Sequence, residues 1–297
     1  MIINAQNLEL AYKGFSAKYN EGKLAAPSHW SKIAMKMPSS SRDENYSWLG
    51  AFPNLRKWIG QRHVKNLKAH GFTILNEKFE STIEVNRDDI ADDKIGIYGP
   101  LFSEMGGVAA RHPDELCFGL LKDGFDVECF DGQPFFDADH PVEMTEGNVV
   151  SVSNLQAGAG APWFLMDTTR EIKPLIFQER EQYTFNAVND PNHEHVFRND
   201  TFLFGCRARV NAGFGLWQLA FASKATLNAE NYSAARAAMM GFKADGDRLL
   251  GITPNLLVVP PSLEDAARRL LNTENGTGGE SNPWKGSAEL LVVPWLA

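Results

Sequence analysis

The chain has 297 residues, 43% of them hydrophobic, and a formal net charge of -8. This length can bury a substantial core in one large domain or two joined domains, whereas the longest apolar runs, residues 256–259 and 290–293, are too short to cross a bilayer. The negative charge argues against a dedicated nucleic-acid-binding protein, because such proteins present a basic field to phosphates.

The N-terminus and the cysteines both indicate a reducing compartment. Residues 1–7 lack the basic start and apolar stretch of a secretion signal, so the cytoplasm is the default location. Cys117, Cys129 and Cys206 are odd in number and widely spaced. We expect them to be reduced thiols in the core and not a disulfide framework.

Charge is concentrated in two adjacent blocks of opposite sign. Residues 45–76 contain no acid but carry five bases: Arg56, Lys57, Arg62, Lys65 and Lys68. Residues 77–93 carry mainly acids, namely Glu77, Glu80, Glu84, Asp88, Asp89, Asp92 and Asp93, with Lys78 and Arg87 as the bases. The blocks are either solvated faces that pair within one molecule or complementary patches that meet between subunits.

The first predicted elements are a helix and an arm. Leu8, Tyr12, Phe15 and Tyr19 recur at helical spacing and predict an amphipathic helix over residues 4–20. Residues 21–42 are rich in Gly, Pro and Ser and predict an extended arm. The apolar spacing of residues 55–67 predicts one or two short helices broken near residue 60.

A hairpin is predicted next. Residues 72–75 and 79–86 alternate in polarity and predict two strands joined by a turn at residues 76–78. The second strand places one set of side chains on an apolar face (Phe79, Ser81, Ile83, Val85) and the other on a wet face (Glu80, Thr82, Glu84, Asn86).

A long helix interrupted by a proline follows. Asp92 or Asp93 is expected to cap its N-terminus, because a carboxylate there accepts from free backbone N–H groups. The expected buried stripe is Leu101, Met105, Val108 and His112. Pro113 kinks the helix or makes it restart with Asp114 and Glu115 in a new first turn, and Gly124 ends it.

The second half is predicted to contain strands at residues 163–166 and 175–178, and a second hairpin over residues 201–224 with its turn at 211–215. Helices are expected at 228–240, capped by Asn228, and at 262–271, capped by Ser262. The near copies LLVVP at 256–260 and 290–294 predict neighbouring buried strands of one small sheet.

Two polar clusters could bind a metal. Asp137, Asp139 and His140 form one, and His193 and His195 flank Glu194 in the other. Neither has the usual helical spacing of paired zinc ligands, so loop polar groups are the favoured interpretation and a metal-dependent hydrolase the alternative. Cys117 lies on an apolar stripe, where an inert thiol is expected. A nucleic-acid-binding module centred on residues 56–68 is the second alternative.

The ordered landmarks resemble the major head proteins of Mu-like tailed phages and prophages, the gene product T family. The segments that carry the resemblance are WLGAFP at 48–53, AHG at 69–71, FE at 79–80, RDDIADD at 87–93, GIY at 96–98, EMG at 104–106, PDEL at 113–116, LLKDGF at 120–125, DGQPFFD at 131–137, HP at 140–141, KPLIFQ at 173–178, WQ at 217–218 and VVP at 258–260. They occur in order over nearly the whole chain.

The resemblance implies an α+β, HK97-type major capsid fold. It implies an N-terminal arm over residues 1–44 that reaches neighbouring subunits and an E-loop region over 45–90 that includes the hairpin. A peripheral domain with part of the axial region then covers 91–225, with the spine helix at 99–124, and the axial domain covers 226–297.

The resemblance also implies a structural protein without catalytic, cofactor or metal residues. Its copies would assemble as pentamers and hexamers into the icosahedral shell of a virion, around double-stranded DNA bound non-specifically, in the host cytoplasm. The portal, the scaffolding protein and any maturation protease would be separate proteins. We hypothesise that assembly residues include Arg56, Lys57, Arg62, Lys65, Lys68, Glu80, Glu84, Arg87, Asp88, Asp89, Asp92 and Asp93.

Overall fold

The computed structural model describes residues 2–50, 72–145, 147–276 and 279–297. Its helices are α1 Ala5–Ala25, α2 Trp30–Ile33, α3 Arg87–Ala91, α4 Gly99–Asp123, α5 Glu194–Asn199, α6 Ala229–Met240 and α7 Glu264–Asn272. Its strands are β1 Ala34–Pro38, β2 Asp43–Asn45, β3 Thr73–Leu75, β4 Glu77–Asn86, β5 His140–Thr145, β6 Asn148–Val152, β7 Leu155–Gln156, β8 Trp163–Met166, β9 Leu175–Val188, β10 Thr201–Phe214, β11 Ala220–Ser223, β12 Lys243–Ala244, β13 Arg248–Leu249, β14 Leu256–Val259 and β15 Glu289–Val292. Within these residues, every helix is too short or too polar to cross a membrane.

Two sheets organise this α+β fold. One has four strands in the order β1-β9-β10-β4, with β1 parallel to β9 and the other neighbours antiparallel. The other has five strands in the order β15-β14-β8-β11-β7. Three further strand pairs, β2-β3, β5-β6 and β12-β13, lie outside these sheets.

Helix α4 contributes to all three clusters of buried hydrophobic residues. Phe102, near its N-terminus, is buried with Phe15 of α1 and Phe204 of β10, and its ring centroid lies 4.3 Å from that of Phe15. Cys117 and Phe118, nearer its C-terminus, are buried in the larger cluster that contains the five-stranded sheet. Each half of the helix is therefore held by a different part of the fold.

The N-terminal helix is confirmed and is longer than predicted. Asn4 caps it by accepting a hydrogen bond from the backbone N–H of Asn7 at 2.8 Å, and it ends at Ala25, two residues before Pro27.

The extended arm predicted over residues 21–42 is partly wrong, because two of its stretches are helical. Residues 21–25 are helical, α2 follows, and β1 pairs with β9 in the four-stranded sheet. This segment packs on its own subunit because the buried Asp114 carboxylate of α4 accepts hydrogen bonds from the Ser28 hydroxyl and from the backbone N–H groups of His29 and Trp30.

Helix α4 continues through Pro113 without restarting. Asp114, expected in a new first turn, instead binds the start of α2. The expected buried stripe is partly wrong, since Leu101 and Val108 are 53% and 49% exposed. The predicted caps are also wrong: Asp92 ends α3, and Tyr98, at the end of a 3-10 turn over Ile95–Tyr98, precedes α4. That extra turn moves the helix start beyond the reach of either aspartate.

The first predicted hairpin is wrong in its pairing. β3 pairs with β2, and β4 pairs with β10. One residue, Asn76, separates β3 from β4, which leaves no room for a chain reversal, and its backbone N–H donates to Arg42 O at 2.9 Å. The predicted alternation along β4 is nevertheless present: Phe79, Ile83 and Val85 are at least partly buried, whereas the wet-face residues are exposed.

The second predicted hairpin is also wrong, because its two predicted strands belong to different sheets. β10 runs straight through residues 211–214, and β11 belongs to the five-stranded sheet. The glycines that suggested a turn serve close packing: a Cβ at Gly213 would lie 2.4 Å from the Cδ1 of Ile74, and the Gly215 N–H donates to Pro174 O at 2.8 Å.

The elements predicted near the C-terminus are largely confirmed. β8 and β14 have the predicted bounds, β14 and β15 are parallel neighbours, and the Asn228 side chain caps α6. The Ser262 cap is wrong, because the residues after Pro260 form a 3-10 turn and α7 begins at Glu264.

Close packing of α1 on α4 leads to a stability prediction. A Cβ at Gly106 would lie 1.9 Å from Tyr19 O, whereas one at Gly119 of the same helix would meet nothing within 4 Å. Gly106→Ala should therefore lower the free energy of unfolding by about 2 kcal/mol or more, and Gly119→Ala should raise it by up to about 1 kcal/mol. Denaturant unfolding measures both, and equal effects of the two variants would contradict the packing argument.

Candidate assembly surface

The wet face of β4 is an exposed charged surface at the end of the four-stranded sheet. Glu80, Thr82 and Glu84 point to solvent from the last strand in the sheet order. Their cross-strand partners on β10 are Arg207, Gly205 and Leu203 respectively.

Both glutamates have weak partners within the subunit. Glu80 Oε2 accepts a hydrogen bond from the Thr82 hydroxyl at 2.8 Å, and Arg207 opposite it lies 3.3 Å from Glu181. Glu84 is 62% exposed, and its Oε1 lies 3.9 Å from His195 Nε2. Exposed ion pairs contribute about 0–1 kcal/mol to folding, so these acids are free to serve another purpose at little cost to the fold.

The junction over residues 87–93 continues this surface through α3. Its internal contacts involve Arg87, which lies 3.6 Å from Asp200, and Asp89, which accepts a hydrogen bond from the Tyr98 hydroxyl at 2.7 Å. That hydrogen bond raises the pKa of Tyr98. Asp92 lies 3.1 Å from Lys94 and is the main cause of the raised pKa of that lysine.

The predicted assembly residues thus differ in their surroundings. Arg87, Asp89 and Asp92 have charged or hydrogen-bonding partners in their own subunit, whereas Asp88 and Asp93 are simply exposed. Asp93 also adopts a left-handed backbone with φ of 61°, which turns the chain away from α3. We call the exposed acids Glu80, Glu84, Asp88 and Asp93 the acidic surface.

The five predicted basic residues, Arg56, Lys57, Arg62, Lys65 and Lys68, lie outside the described residues. Their position in the chain is nevertheless informative. β2 and β3 pair antiparallel, with Asp43 opposite Leu75 and Asn45 opposite Thr73, so residues 46–72 connect two paired strands. The basic block therefore lies, in sequence, between two strands that pair with each other.

The predicted metal cluster of Asp137, Asp139 and His140 does not converge. His140 is buried, with its ring stacked on Trp217 at 4.0 Å and its Nδ1 2.8 Å from Asp131 Oδ2. Asp137 accepts from the neighbouring Ala138 N–H, and Asp139 is exposed. The hydrolase alternative is not supported by this geometry.

The side chains of the second histidine cluster also interact with nearby residues of the chain. His193 Nδ1 accepts from the His195 N–H at 3.2 Å and caps α5, and Glu194 pairs with Arg198 at 2.7 Å. His195 Nε2 lies 3.2 Å from the Thr201 hydroxyl.

Sequence reasoning missed the group that His140 joins. Cys129, Asp131 and His140 place three potential ligand atoms within 4.8 Å of one another. Asp131 also accepts from Cys129 Sγ and from the Gln133 N–H, both at 3.1 Å. Burial foremost raises the pKa of Cys129, so at neutral pH its Sγ carries the proton that it donates, and the three side chains form a hydrogen-bonded core network.

Known proteins resemble the chain over its full length. The family model described as the Mu-like prophage major head subunit gpT matches residues 8–296. The major capsid protein of Escherichia phage Mu is 42% identical over 100% of both chains, and the Mu-like prophage FluMu major head subunit of Haemophilus influenzae is 42% identical over 96% of both.

Solved structures give the same result. A chain from the procapsid of bacteriophage JBD30 has a TM-score of 0.89 and 43% identity, covering 99% of this chain and 100% of that one. A chain from the JBD30 capsid has a TM-score of 0.79 and 35% identity, covering 92% of each.

The core network leads to a pH-dependent prediction. Burial opposes ionisation of Asp131, but the hydrogen bonds from His140, Cys129 and Gln133 outweigh it and lower the pKa of Asp131. Asp131→Asn should reduce the free energy of unfolding at pH 7 by about 1–3 kcal/mol. A lowered folded-state pKa stabilises the protein above the unfolded pKa of about 4 and ceases to do so as the pH falls through the folded value, so the difference should shrink below about pH 4.

Denaturant midpoints of the wild type and Asp131→Asn at pH 7 and at about pH 3.5 would measure this difference. Asp126→Asn, an exposed acid nearby, is the control and should be neutral at both values. A destabilisation by Asp131→Asn that does not change with pH would contradict the electrostatic explanation.

Proposed function

Because the chain belongs to the family of Mu-like prophage major head subunits, we propose that its copies close as pentamers and hexamers into an icosahedral head around double-stranded DNA. The chain is a major capsid protein with an HK97-type fold, and a structural protein rather than an enzyme. The observation that carries the proposal is the match, over essentially the whole of both chains, to a subunit of an assembled procapsid.

The sheet arrangement supports a proposed division into regions. Residues 1–44 form the arm, although α1 packs on α4 of its own subunit, and residues 45–90 form the E-loop region, which includes β3 and β4. Residues 91–225 form the peripheral domain with part of the axial region. Residues 226–297 form the axial domain. The five-stranded sheet supports an axial contribution from residues 91–225, because their strands β7, β8 and β11 share this sheet with β14 and β15 of the axial domain.

The proposed contacts between subunits are electrostatic in part. The basic block of residues 56–68 on one subunit would meet the acidic surface of a neighbour. Such complementary charges set orientation and register more than affinity. Modest contacts suffice in a shell, because each subunit engages several neighbours at once and the later contacts form at high effective concentration.

The remaining partners follow from the same proposal. With a net charge of -8, the subunit would enclose DNA without binding it tightly. Its basic residues would pair with acids of neighbouring subunits in preference to phosphates. Scaffolding protein, any maturation protease and the portal would act as separate proteins, and the head would assemble in the cytoplasm of the bacterial host.

Electron microscopy tests the function directly. The protein expressed together with the head-assembly genes of its own phage should form closed shells. A purified, folded subunit that forms none under these conditions would contradict the proposal. Tight, steeply salt-dependent DNA binding by the isolated subunit would instead favour the nucleic-acid-binding alternative.

The charge contact gives a second test. Glu80→Lys with Glu84→Lys should leave the subunit folded, because both side chains are exposed, but should reduce the shell yield by about tenfold or more through repulsion with the basic block. Circular dichroism and thermal unfolding measure folding, and electron microscopy with sedimentation measures shells.

Two controls make this test specific. Asp126→Lys with Glu128→Lys changes the net charge equally at other exposed acids and should assemble. Adding Lys65→Glu and Lys68→Glu to the first variant should restore part of the shell yield. Normal assembly of the Glu80→Lys, Glu84→Lys variant would exclude the acidic surface as a subunit contact.

A further inference from the structure

Strand β4 presents one edge that no other strand of the described chain covers. It is the last strand in the order β1-β9-β10-β4, and its ten residues pair with β10 without a bulge. The Arg87 N–H donates to Asp200 O, one step beyond the pair of Asn86 with Thr201. Hydrogen-bonded and non-hydrogen-bonded pairs alternate in an antiparallel ladder, so the odd-numbered residues of β4 bond to β10. The even-numbered residues therefore direct their N–H and C=O groups to the free edge.

The unpaired backbone groups of this edge are centred on Ser81. The Asn86 N–H faces the Tyr98 hydroxyl within the subunit. The remaining outward groups, which have no partner in the part of the chain that the structure describes, belong to Lys78, Glu80, Thr82 and Glu84. Ser81 is exposed and lies midway along this set. An edge of this kind can accept one further strand.

The side chains of this edge match those of a second copy. When two β4 strands run antiparallel with Ser81 opposite Ser81, Lys78 of each copy lies opposite Glu84 of the other. On the other face of the sheet, Phe79 lies opposite Ile83, and both are half-buried apolar side chains in the single subunit. Pairs of opposite charge and apolar pairs both stabilise neighbouring strands.

The backbone requires the same register. The pairs of Lys78 with Glu84 and of Glu80 with Thr82, each formed twice, join residues whose N–H and C=O groups point to the edge, which gives about eight hydrogen bonds between the copies. A shift by one residue would place outward-pointing groups opposite inward-pointing ones. A shift by two residues would place Glu80 opposite Glu80 or Glu84 of the other copy, and like charges directly opposite each other are destabilising.

The two charges that would pair have little to hold them within their own subunit. Lys78 is exposed and has no ion pair among the described residues, and its neighbour across β10 is Arg209, a like charge that lies 3.3 Å from Glu181. Glu84 has only His195, at 3.9 Å. Charged side chains on an edge strand usually prevent pairing between copies. Here the charges have opposite signs at the two ends of the edge, so antiparallel pairing brings opposite charges together.

We propose that two subunits pair through their β4 edges across a two-fold axis and join their four-stranded sheets into one. Such a contact uses the same surface of both copies, and an icosahedral shell contains two-fold axes. The contact rests on the proposed shell function and names one of its interfaces. It uses the side chains of Lys78 and Glu84, and leaves Glu80, Asp88 and Asp93 of the acidic surface for the basic block.

A disulfide at the two-fold axis tests the contact. Ser81→Cys places two thiols in a non-hydrogen-bonded pair with Cα atoms about 4.5 Å apart, which a disulfide can span. Cys206 lies opposite Ser81 on β10, so every variant also carries Cys206→Ser, and the other two cysteines are buried. After mild oxidation, shells of this variant should give covalent dimers on a non-reducing gel.

Glu77→Cys is the matched control for the disulfide. It is also exposed on β4, but its two copies would lie about 25 Å apart in the proposed register. It should therefore give no dimers. Thermal unfolding under reducing conditions should be unchanged in both variants, because both positions are exposed. Equal dimer formation by the two variants would overturn the proposed register.

A charge exchange provides an independent measurement. Lys78→Glu should lower the shell yield by about tenfold or more, because like charges then meet at both ends of the edge. Adding Glu84→Lys restores opposite charges and should recover most of the yield. Adding Asp126→Lys, which gives the same net charge at another exposed acid, should not. Equal yields of the two double variants would overturn the pairing of Lys78 with Glu84.

The two proposals fail in different ways. Failure of the wild type to form shells would refute the shell function itself. Wild-type shells together with Ser81→Cys shells that give no covalent dimers would refute the β4 contact alone.

Discussion

The contact between α1 and α4 is the constraint on which the rest of the structure depends. Gly22 and Gly106 let the two helix backbones touch, since a Cβ at either position would lie less than 2 Å from a carbonyl oxygen of the other helix. This approach places Phe15 and Phe102 together against Phe204 of the four-stranded sheet. The position of that sheet, and with it the exposed edge at β4, follows from how closely the two helices pack.

Buried polar groups connect distant segments of this chain. Asp114 ties α4 to the start of α2, and Asp131 ties the loop after α4 to His140. The Tyr46 hydroxyl donates to Gln178 at 2.8 Å in the interior, and burial raises the pKa of Tyr46 to about 12. Their hydrogen bonds are satisfied within the subunit, which suits a subunit that must hold its shape.

Several groups on the surface, unlike the buried polar groups, have few partners within the subunit. Glu84 of the acidic surface has only a distant partner in its own subunit, and the apolar side chain of Phe197 is exposed to water. Such groups contribute little to the stability of a monomer. We propose that the placement of the acids on a paired strand gives neighbouring subunits fixed points to recognise. In this proposal, the residues that maintain the subunit differ from the residues available for assembly.

Local patterns in the sequence determined the helix capped by Asn4 and the alternation along β4 and β10, because each depends on neighbours a few residues away. The repeated LLVVP motif also indicated that β14 and β15 are neighbouring buried strands. The ordered motifs also identified the capsid family. Tertiary structure alone decided how β3, β4 and β10 pair, since antiparallel partners as distant as Glu80 and Arg207 share no local signal. Tertiary structure also determined that α4 continues through Pro113, that His140 hydrogen-bonds with Asp131, and that Phe197 is exposed. These outcomes depend on what packs against a residue, and that is set by segments far away in the chain.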